Sequence, residues 1–240
     1  MKKINIITLG CSKNTVDSEH LAAQLHEYGY TIVFDSDRTD ADVVVINTCG
    51  FIGDAKQESI DTILRAAELK TAGKIEELFV VGCLSQRYAD ELRPELPEVD
   101  DFFGVNDWAG VVERLGAKYR AENETKRELS TPSHYAYLKI SEGCNWMCGY
   151  CAIPLIRGRH KSVPMEALVA EAEALVEKGV REIMVIAQDT TYYGVDIYGE
   201  RKIAELLERL CRIEKLEWIR LHYAYPTDFP DQLIEVMARE

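Results

Sequence analysis

Asp42-Val43-Val44-Val45-Ile46-Asn47-Thr48-Cys49 is the stretch that decides the fold class. Its four consecutive β-branched residues show no polar alternation. The run therefore reads as a strand covered on both faces, as strands of parallel sheets are. Shorter strand-like runs flank it, Ile4 to Leu9 before and Leu78 to Gly82 after. Helical patterns lie between them. Asp17 to Tyr28 places Leu21, Leu25 and Tyr28 on one face and stops at Gly29. Asp54 opens another helix, with Gln57 three residues on in the manner of a capping box, and Ile60, Ile63, Leu64 and Ala67 line its core face. A helix from Trp108 to Arg120 closes the series. This alternation predicts an α/β domain with an open, mostly parallel sheet over residues 1–120.

Residues 121–133 are polar and lack periodicity, which predicts a linker. A second series occupies residues 134–240. Ala136 to Ser141 is a strand, and a cysteine-bearing loop follows it. Pro164 to Lys178 is a helix with Leu168, Val169, Ala172, Leu175 and Val176 on one face. Glu182 to Gln188 is a strand, Ile203 to Arg212 a helix, Trp218 to Tyr225 a strand, and Asp231 opens a last helix. These are three β/α units of a barrel or half-barrel. Three units cannot close a barrel, so the strand from Trp218 is expected to keep an unpaired edge.

Of the 240 residues, 29% are charged and the net charge is −13. No run reaches the ~18 apolar residues of a spanning helix. The first ten residues are too short and too interrupted for a secretory signal, so a cytosolic protein with no membrane partner is expected. An acidic chain is repelled by nucleic-acid phosphates unless a basic patch intervenes. The richest basic stretch, Arg157-Gly158-Arg159-His160-Lys161, reads as a solvated loop. The charge suits a basic partner instead.

Seven cysteines in a reducing compartment point to metal or thiol chemistry rather than disulfides. The strongest motif is Cys144-Asn145-Trp146-Met147-Cys148-Gly149-Tyr150-Cys151. Three thiols this close in one loop can face a common centre, and thiolates suit zinc or an iron–sulfur cluster. A zinc site would take His160 as fourth ligand, yet no second cysteine pair exists. A four-iron cluster usually takes four cysteines, so three leave one iron open. A second set is dispersed: Cys11, Cys49 and Cys83 each follow a predicted strand. Ligands gather outside the carboxyl ends of parallel strands. Singly, each reads as a small buried residue; jointly they read as a ligand set. Cys211 reads as core packing on an amphipathic helix, and His134, His160 and His222 as structural or surface residues. No catalytic side chain is assigned.

The form C-x-x-x-C-x-aromatic-C, with Tyr150 as the aromatic, resembles the signature of radical S-adenosylmethionine (SAM) enzymes. The resemblance implies that Cys144, Cys148 and Cys151 hold a [4Fe-4S] cluster that reduces SAM to give a 5′-deoxyadenosyl radical. Leu9 to Asn14, Asn47 to Ile52 and Val81 to Arg87 are similar to the amino-terminal domain of methylthiotransferases. There, Cys11, Cys49 and Cys83 would bind an auxiliary [4Fe-4S] cluster whose open iron holds the sulfur or methylthio group. Gln188, in Gln188-Asp189-Thr190-Thr191, is either a SAM contact or part of a plain strand-end turn.

Ser12-Lys13-Asn14, Gly50-Phe51-Ile52, Ala55 to Ile60 and Gln188 to Thr191 look like the branch that modifies ribosomal protein uS12. That branch adds a methylthio group to the β-carbon of an aspartate, with a second SAM supplying the methyl. An electron donor and a sulfur source are implied as partners. Two alternatives stand beside this: a tRNA adenosine methylthiotransferase, the one case that needs nucleic acid, and a non-catalytic metal-binding fragment. The family has a complete barrel and a small carboxy-terminal β-barrel. The resemblance thus implies an incomplete radical SAM half-barrel here, and the 240-residue chain is expected not to modify uS12 alone.

Overall fold

A computed structural model describes residues 2–38, 40–123 and 125–240. Met1, Thr39 and Glu124, the last inside the expected linker, lie outside the described residues. The chain forms two units. The first runs to Glu128 and includes Leu155–Arg157, and the second comprises Leu129–Pro154 and Gly158–Glu240.

In the first unit, β1 (Lys3–Thr8), β2 (Thr31–Phe34), β3 (Val43–Thr48), β4 (Glu77–Gly82) and β5 (Asp101–Phe102) form one sheet in the order β2-β1-β3-β4-β5. Every pairing is parallel. β3 is buried at all six positions, as its unbroken apolar run requires. Helices α1 (Ser12–His26) and α4 (Trp108–Arg114) cover one face; Leu21, Leu25, Val111 and Val112 pack there against Ile4, Ile6, Val43 and Val45. Helices α2 (Gly53–Thr71) and α3 (Cys83–Glu95) cover the other, with Ile63, Ala67 and Leu84 against Val44, Ile46 and Val80. Burial of each such Val or Ile stabilises by roughly 1.5–3 kcal/mol. The strand order reverses between β1 and β3, which opens a crevice at their carboxyl ends.

Several expectations are corrected. α1 begins at Ser12, five residues before Asp17, because its first turns bury Lys13, Asn14, Asp17 and Ser18, and apolar periodicity cannot register a buried polar face. Leu64 is 45% exposed rather than in the core. No capping box forms at α2: Ile52 is the N-cap, and Gln57 Nε2 donates to Asp61 Oδ1 at 2.8 Å. α4 stops at Arg114. β2, α3 and β5 were not expected. The polar stretch 121–133 divides at Glu128, because Arg127 forms a buried ion pair with Glu19 and the Glu128 N–H donates to the Glu19 carbonyl at 3.1 Å.

In the second unit, β6 (Tyr135–Lys139), β9 (Glu182–Ile186) and β10 (Trp218–Leu221) form a parallel sheet in chain order. β7 (Ser141–Glu142) and β8 (Lys161–Ser162) pair antiparallel and close the neck of the cysteine loop, which also holds the one-turn α5 (Ile153–Ile156). α6 (Met165–Glu177), α8 (Ile203–Cys211) and α9 (Asp231–Arg239) return the chain after each strand, and α7 (Val195–Tyr198) is a short turn before α8. Leu168, Leu175, Leu206, Leu210, Leu233 and Val236 join the sheet in one core.

β10 ends at Leu221, four residues before the predicted Tyr225; Tyr223 adopts φ +59, which an extended strand cannot hold. Among the described residues β10 has one strand neighbour, β9, and Trp218 is 62% exposed. Cys211 is exposed rather than packed in the core. It is the last residue of α8 and lines an open groove of about 530 Å³ with Trp218, Ile219 and Met237. Among the described residues, no helix is long and apolar enough to cross a membrane.

Candidate functional site

The first unit brings Cys11, Cys49 and Cys83 to the carboxyl ends of β1, β3 and β4. Glycines make the approach possible. A Cβ on Gly10 would lie 2.7 Å from Cys49 Cβ and 3.1 Å from Cys49 Sγ, and one on Gly50 would lie 2.6 Å from the Cys83 carbonyl oxygen. Cys83 is buried, and Cys11 and Cys49 are half-buried. Burial pushes the Cys83 thiol pKa up; the Arg157 guanidinium beside it acts the other way, while Cys11 and Cys49 add to the rise.

α1 starts immediately after Cys11 and α3 starts on Cys83, and neither has a side-chain cap. Two helix amino termini, each with unsatisfied N–H groups and a positive dipole end, thus begin at the thiols, an arrangement that favours anions. The strand ends are tied together by polar side chains. Asn14 Nδ2 donates to the carbonyls of Leu9 and Thr48 at 2.8 and 3.1 Å, and Asn47 Nδ2 donates to the Asn14 carbonyl and Ser18 Oγ, both at 3.0 Å. The Cys49 N–H donates to Ser59 Oγ at 3.0 Å. Three buried polar atoms beside the cysteines have no partner: Ser12 Oγ, Asn47 Oδ1 and Ser85 Oγ. Three thiols, two uncapped helix starts and unpaired hydroxyls fit an anionic sulfur-rich group that accepts hydrogen bonds.

In the second unit, Cys144, Cys148 and Cys151 lie half-buried in the loop above the β7–β8 neck. The Cys144 N–H donates to the Gly158 carbonyl at 3.1 Å, and the Cys151 N–H to the Cys148 carbonyl at 3.0 Å. Gly143, at φ +71, permits the neck: a Cβ there would lie 2.2 Å from the Arg159 carbonyl oxygen. Trp146 anchors the loop. Its Nε1 donates to Asp189 Oδ2 at 2.7 Å, and its ring lies 4.9 Å from that of Tyr225. Asp189, 2% exposed, also accepts from the Thr191 N–H at 2.9 Å and Thr191 Oγ1 at 2.7 Å. Burial pushes the Cys144 thiol up, and Asp189, Cys151 and Cys148 add to that, against the Trp146 backbone N–H. Met147 and Tyr150 are 84% and 88% exposed.

His160 is buried beside Ser162 Oγ at 2.9 Å, with Asp196 Oδ1 at 3.5 Å. Burial lowers its pKa, with Asp196 and Asp189 opposing. Gln188 is half-buried in the bend after β9. Among the described residues, no three His, Cys, Asp or Glu side chains are grouped so as to hold a metal ion.

The basic stretch from Arg157 is not simply solvated: Arg157 and His160 are both buried. Sequence reasoning missed Arg157, Asn14 and Asp189. The signal available for the last was an acid directly after Gln188 at a strand end.

The description "Uncharacterized protein family UPF0004" matches residues 3–104, and "Radical SAM superfamily" matches residues 138–240. A protein of Bacteroides fragilis named ribosomal protein uS12 methylthiotransferase RimO is 56% identical over 236 residues, 98% of this chain and 55% of that protein. Proteins of the same name from Cytophaga hutchinsonii and Christiangramia forsetii are each 52% identical, over 98% and 99% of this chain and 54% and 52% of theirs. The chain thus spans about half the length of the curated relatives it matches. Two solved structures share the fold. A radical SAM methyltransferase, TsrM, from Kitasatospora setae aligns with a TM-score of 0.64 at 12% identity, covering 99% of this chain and 57% of that one. The cobalamin-dependent radical SAM enzyme OxsB aligns at 0.56 with 10% identity, covering 92% and 38%.

Proposed function

We propose that the chain belongs to the radical SAM methylthiotransferase family and acts in adding a methylthio group to the β-carbon of an aspartate in ribosomal protein uS12. The observation that carries the reading is two separate sets of three cysteines, one at the strand ends of the first unit and one in a loop of the second, in a chain more than half identical to proteins named for that reaction. The relatives' shared name favours uS12 over tRNA, and the net charge of −13 suits a basic protein substrate.

In this reading Cys144, Cys148 and Cys151 hold one [4Fe-4S] cluster, and Cys11, Cys49 and Cys83 hold an auxiliary one. When bound, the two clusters would supply the electron for SAM cleavage and the site for sulfur delivery; with three cysteines each, the set Cys144, Cys148 and Cys151 and the set Cys11, Cys49 and Cys83 would leave a position free for SAM or sulfur. The chain's own residues do the positioning. Asp189 holds Trp146 and with it the first half of the loop, while exposed Tyr150 and half-buried Gln188 are placed as SAM-contact candidates. The first unit, to Glu128, is assigned as the methylthiotransferase domain and the second, from Leu129, as the radical SAM domain. The partners are uS12, an electron donor and a sulfur source. The place is the cytoplasm, where all seven cysteines stay free thiols or ligands.

Anaerobic reconstitution tests the sites: about eight irons per chain, with matching sulfide, are expected. Mass spectrometry of a strain lacking the gene tests the substrate. Its uS12 should lose the mass of one methylthio group while its tRNA nucleosides stay unchanged; the reverse outcome would establish the tRNA alternative.

A further inference from the structure

The first thiol site holds a buried cation. Arg157 is 3% exposed and belongs to the first unit, although the segments flanking Leu155–Arg157 belong to the second. Its guanidinium donates to Asn14 Oδ1 at 2.6 Å, lies 3.3 Å from Asp17 Oδ2, and stands beside Cys83. Asn14 also reaches the carbonyls of Leu9 and Thr48, the strand ends next to Cys11 and Cys49. Asn14 and Asp17 sit on the first two turns of α1, the helix that starts at Cys11. One helix therefore places both a thiol and the clamp for the guanidinium.

A planar guanidinium held on two sides has little freedom, so its charge is fixed in place. It stays charged at every working pH. Burying such a charge is costly unless anions share the site. Asp17 provides one, and a cluster held by the three cysteines would provide another.

We propose that Arg157 is the positioning residue that sets the reduction potential of the cluster assigned to Cys11, Cys49 and Cys83, by fixing a buried positive charge at that site through Asn14 and Asp17 of α1. The inference rests on that cluster assignment. Reduction adds negative charge to a cluster, and a cation or donor at its sulfur stabilises the reduced form. Arg157 therefore raises the potential, and Asp17 lowers it. The uncapped starts of α1 and α3 act in the same direction as Arg157.

The test uses the full 240-residue chain with Cys144, Cys148 and Cys151 changed to Ala, reconstituted anaerobically so that one cluster remains. About four irons per chain are expected; a chain without a cluster overturns the assignment itself, whatever Arg157 does. In a redox titration followed by electron paramagnetic resonance, Arg157→Gln should move the midpoint to lower potential and Asp17→Asn to higher. Arg157→Lys should recover most of the loss. Unmoved midpoints in loaded variants overturn the proposal, since a merely structural residue would change loading and not potential.

A second measurement covers variants that fail to load. In protein labelled with ¹⁵N-arginine, pulsed spectroscopy of the reduced cluster should show a ¹⁵N coupling. Arg87 also lies nearby, donating to the Gly50 carbonyl at 2.9 Å, so the coupling should persist in Arg87→Lys. Its absence from the labelled parent, or its loss in Arg87→Lys, overturns the assignment to Arg157.

Discussion

Gly82→Ala is expected to cost the first unit far more than a glycine change normally does. Gly82 adopts φ +97, ψ −157, a region essentially closed to other residues and worth roughly 1–3 kcal/mol of strain. A Cβ there would also lie 2.5 Å from Asn47 Oδ1, and 2.7 and 2.9 Å from the Thr48 carbonyl oxygen and nitrogen. Two of those three atoms are backbone of β3, the strand paired with β4, so they cannot rotate aside. Forcing them apart costs a further 1–3 kcal/mol or so. The sum is about 2–6 kcal/mol. Gly73 is the control: its φ is +69 with nothing within 4 Å, so Gly73→Ala should cost about 1–2 kcal/mol. Urea denaturation read by hydrogen exchange in β3 and β4 peptides isolates the first unit. With a slope of about 2 kcal/mol/M, the midpoint should fall by ~1–3 M for Gly82→Ala and by ~0.5–1 M for Gly73→Ala. Equal falls would refute the close approach of β4 to β3 just before Cys83.

Cys148→Ala should halve the iron and abolish SAM cleavage, whereas Cys49→Ala should halve the iron and leave reductive cleavage intact; iron analysis and product chromatography decide, and a single change that empties both sites in folded protein contradicts two independent sites. Arg127→Met should destabilise the first unit by about 3–5 kcal/mol, because the Glu19 carboxylate at 0% exposure loses its cation; a loss below ~1 kcal/mol by denaturant titration would mean that the pair is not buried in solution. His160 has a depressed pKa in the fold, so its neutral form stabilises the second unit above the unfolded value of about 6.5, and that contribution is lost as pH falls below it. His160→Gln should flatten the stability profile below about pH 6.5, and an unchanged profile would show that His160 does not titrate with folding.

Much of the fold was written in apolar runs. β3 was legible because Val43 to Ile46 can be satisfied only by cover on both faces, and the cysteine at its end followed from that. The loop Cys144 to Cys151 was legible from spacing alone. What escaped detection shares a cause. The start of α1 buries Asn14, Asp17 and Ser18, whose partners are strand-end carbonyls and distant side chains, so no local pattern announces a helix. β5 has two residues and β2 four, and both lie at sheet edges where little burial is demanded. Arg157 looked solvated because a buried cation is recognisable only with its anions, and Asp17 is far from it in sequence. Asp189 was quoted only as a neighbour of Gln188; its hold on Trp146 spans two elements and leaves no periodic trace.

The two cysteine sets make opposite demands on the order of assembly. On the cluster assignment proposed above, three thiols within one loop can capture iron before the surrounding chain has found its place, since the loop to be closed is short. The other three exist as a site only when β1, β3 and β4 lie side by side with their glycines in register. A group bound there grips the native sheet and not the unfolded chain, so its binding energy becomes folding energy. Iron supply would then act as quality control on the first unit. Chains made during iron shortage would lack the clasp, open more often, and be the first to be taken by proteases.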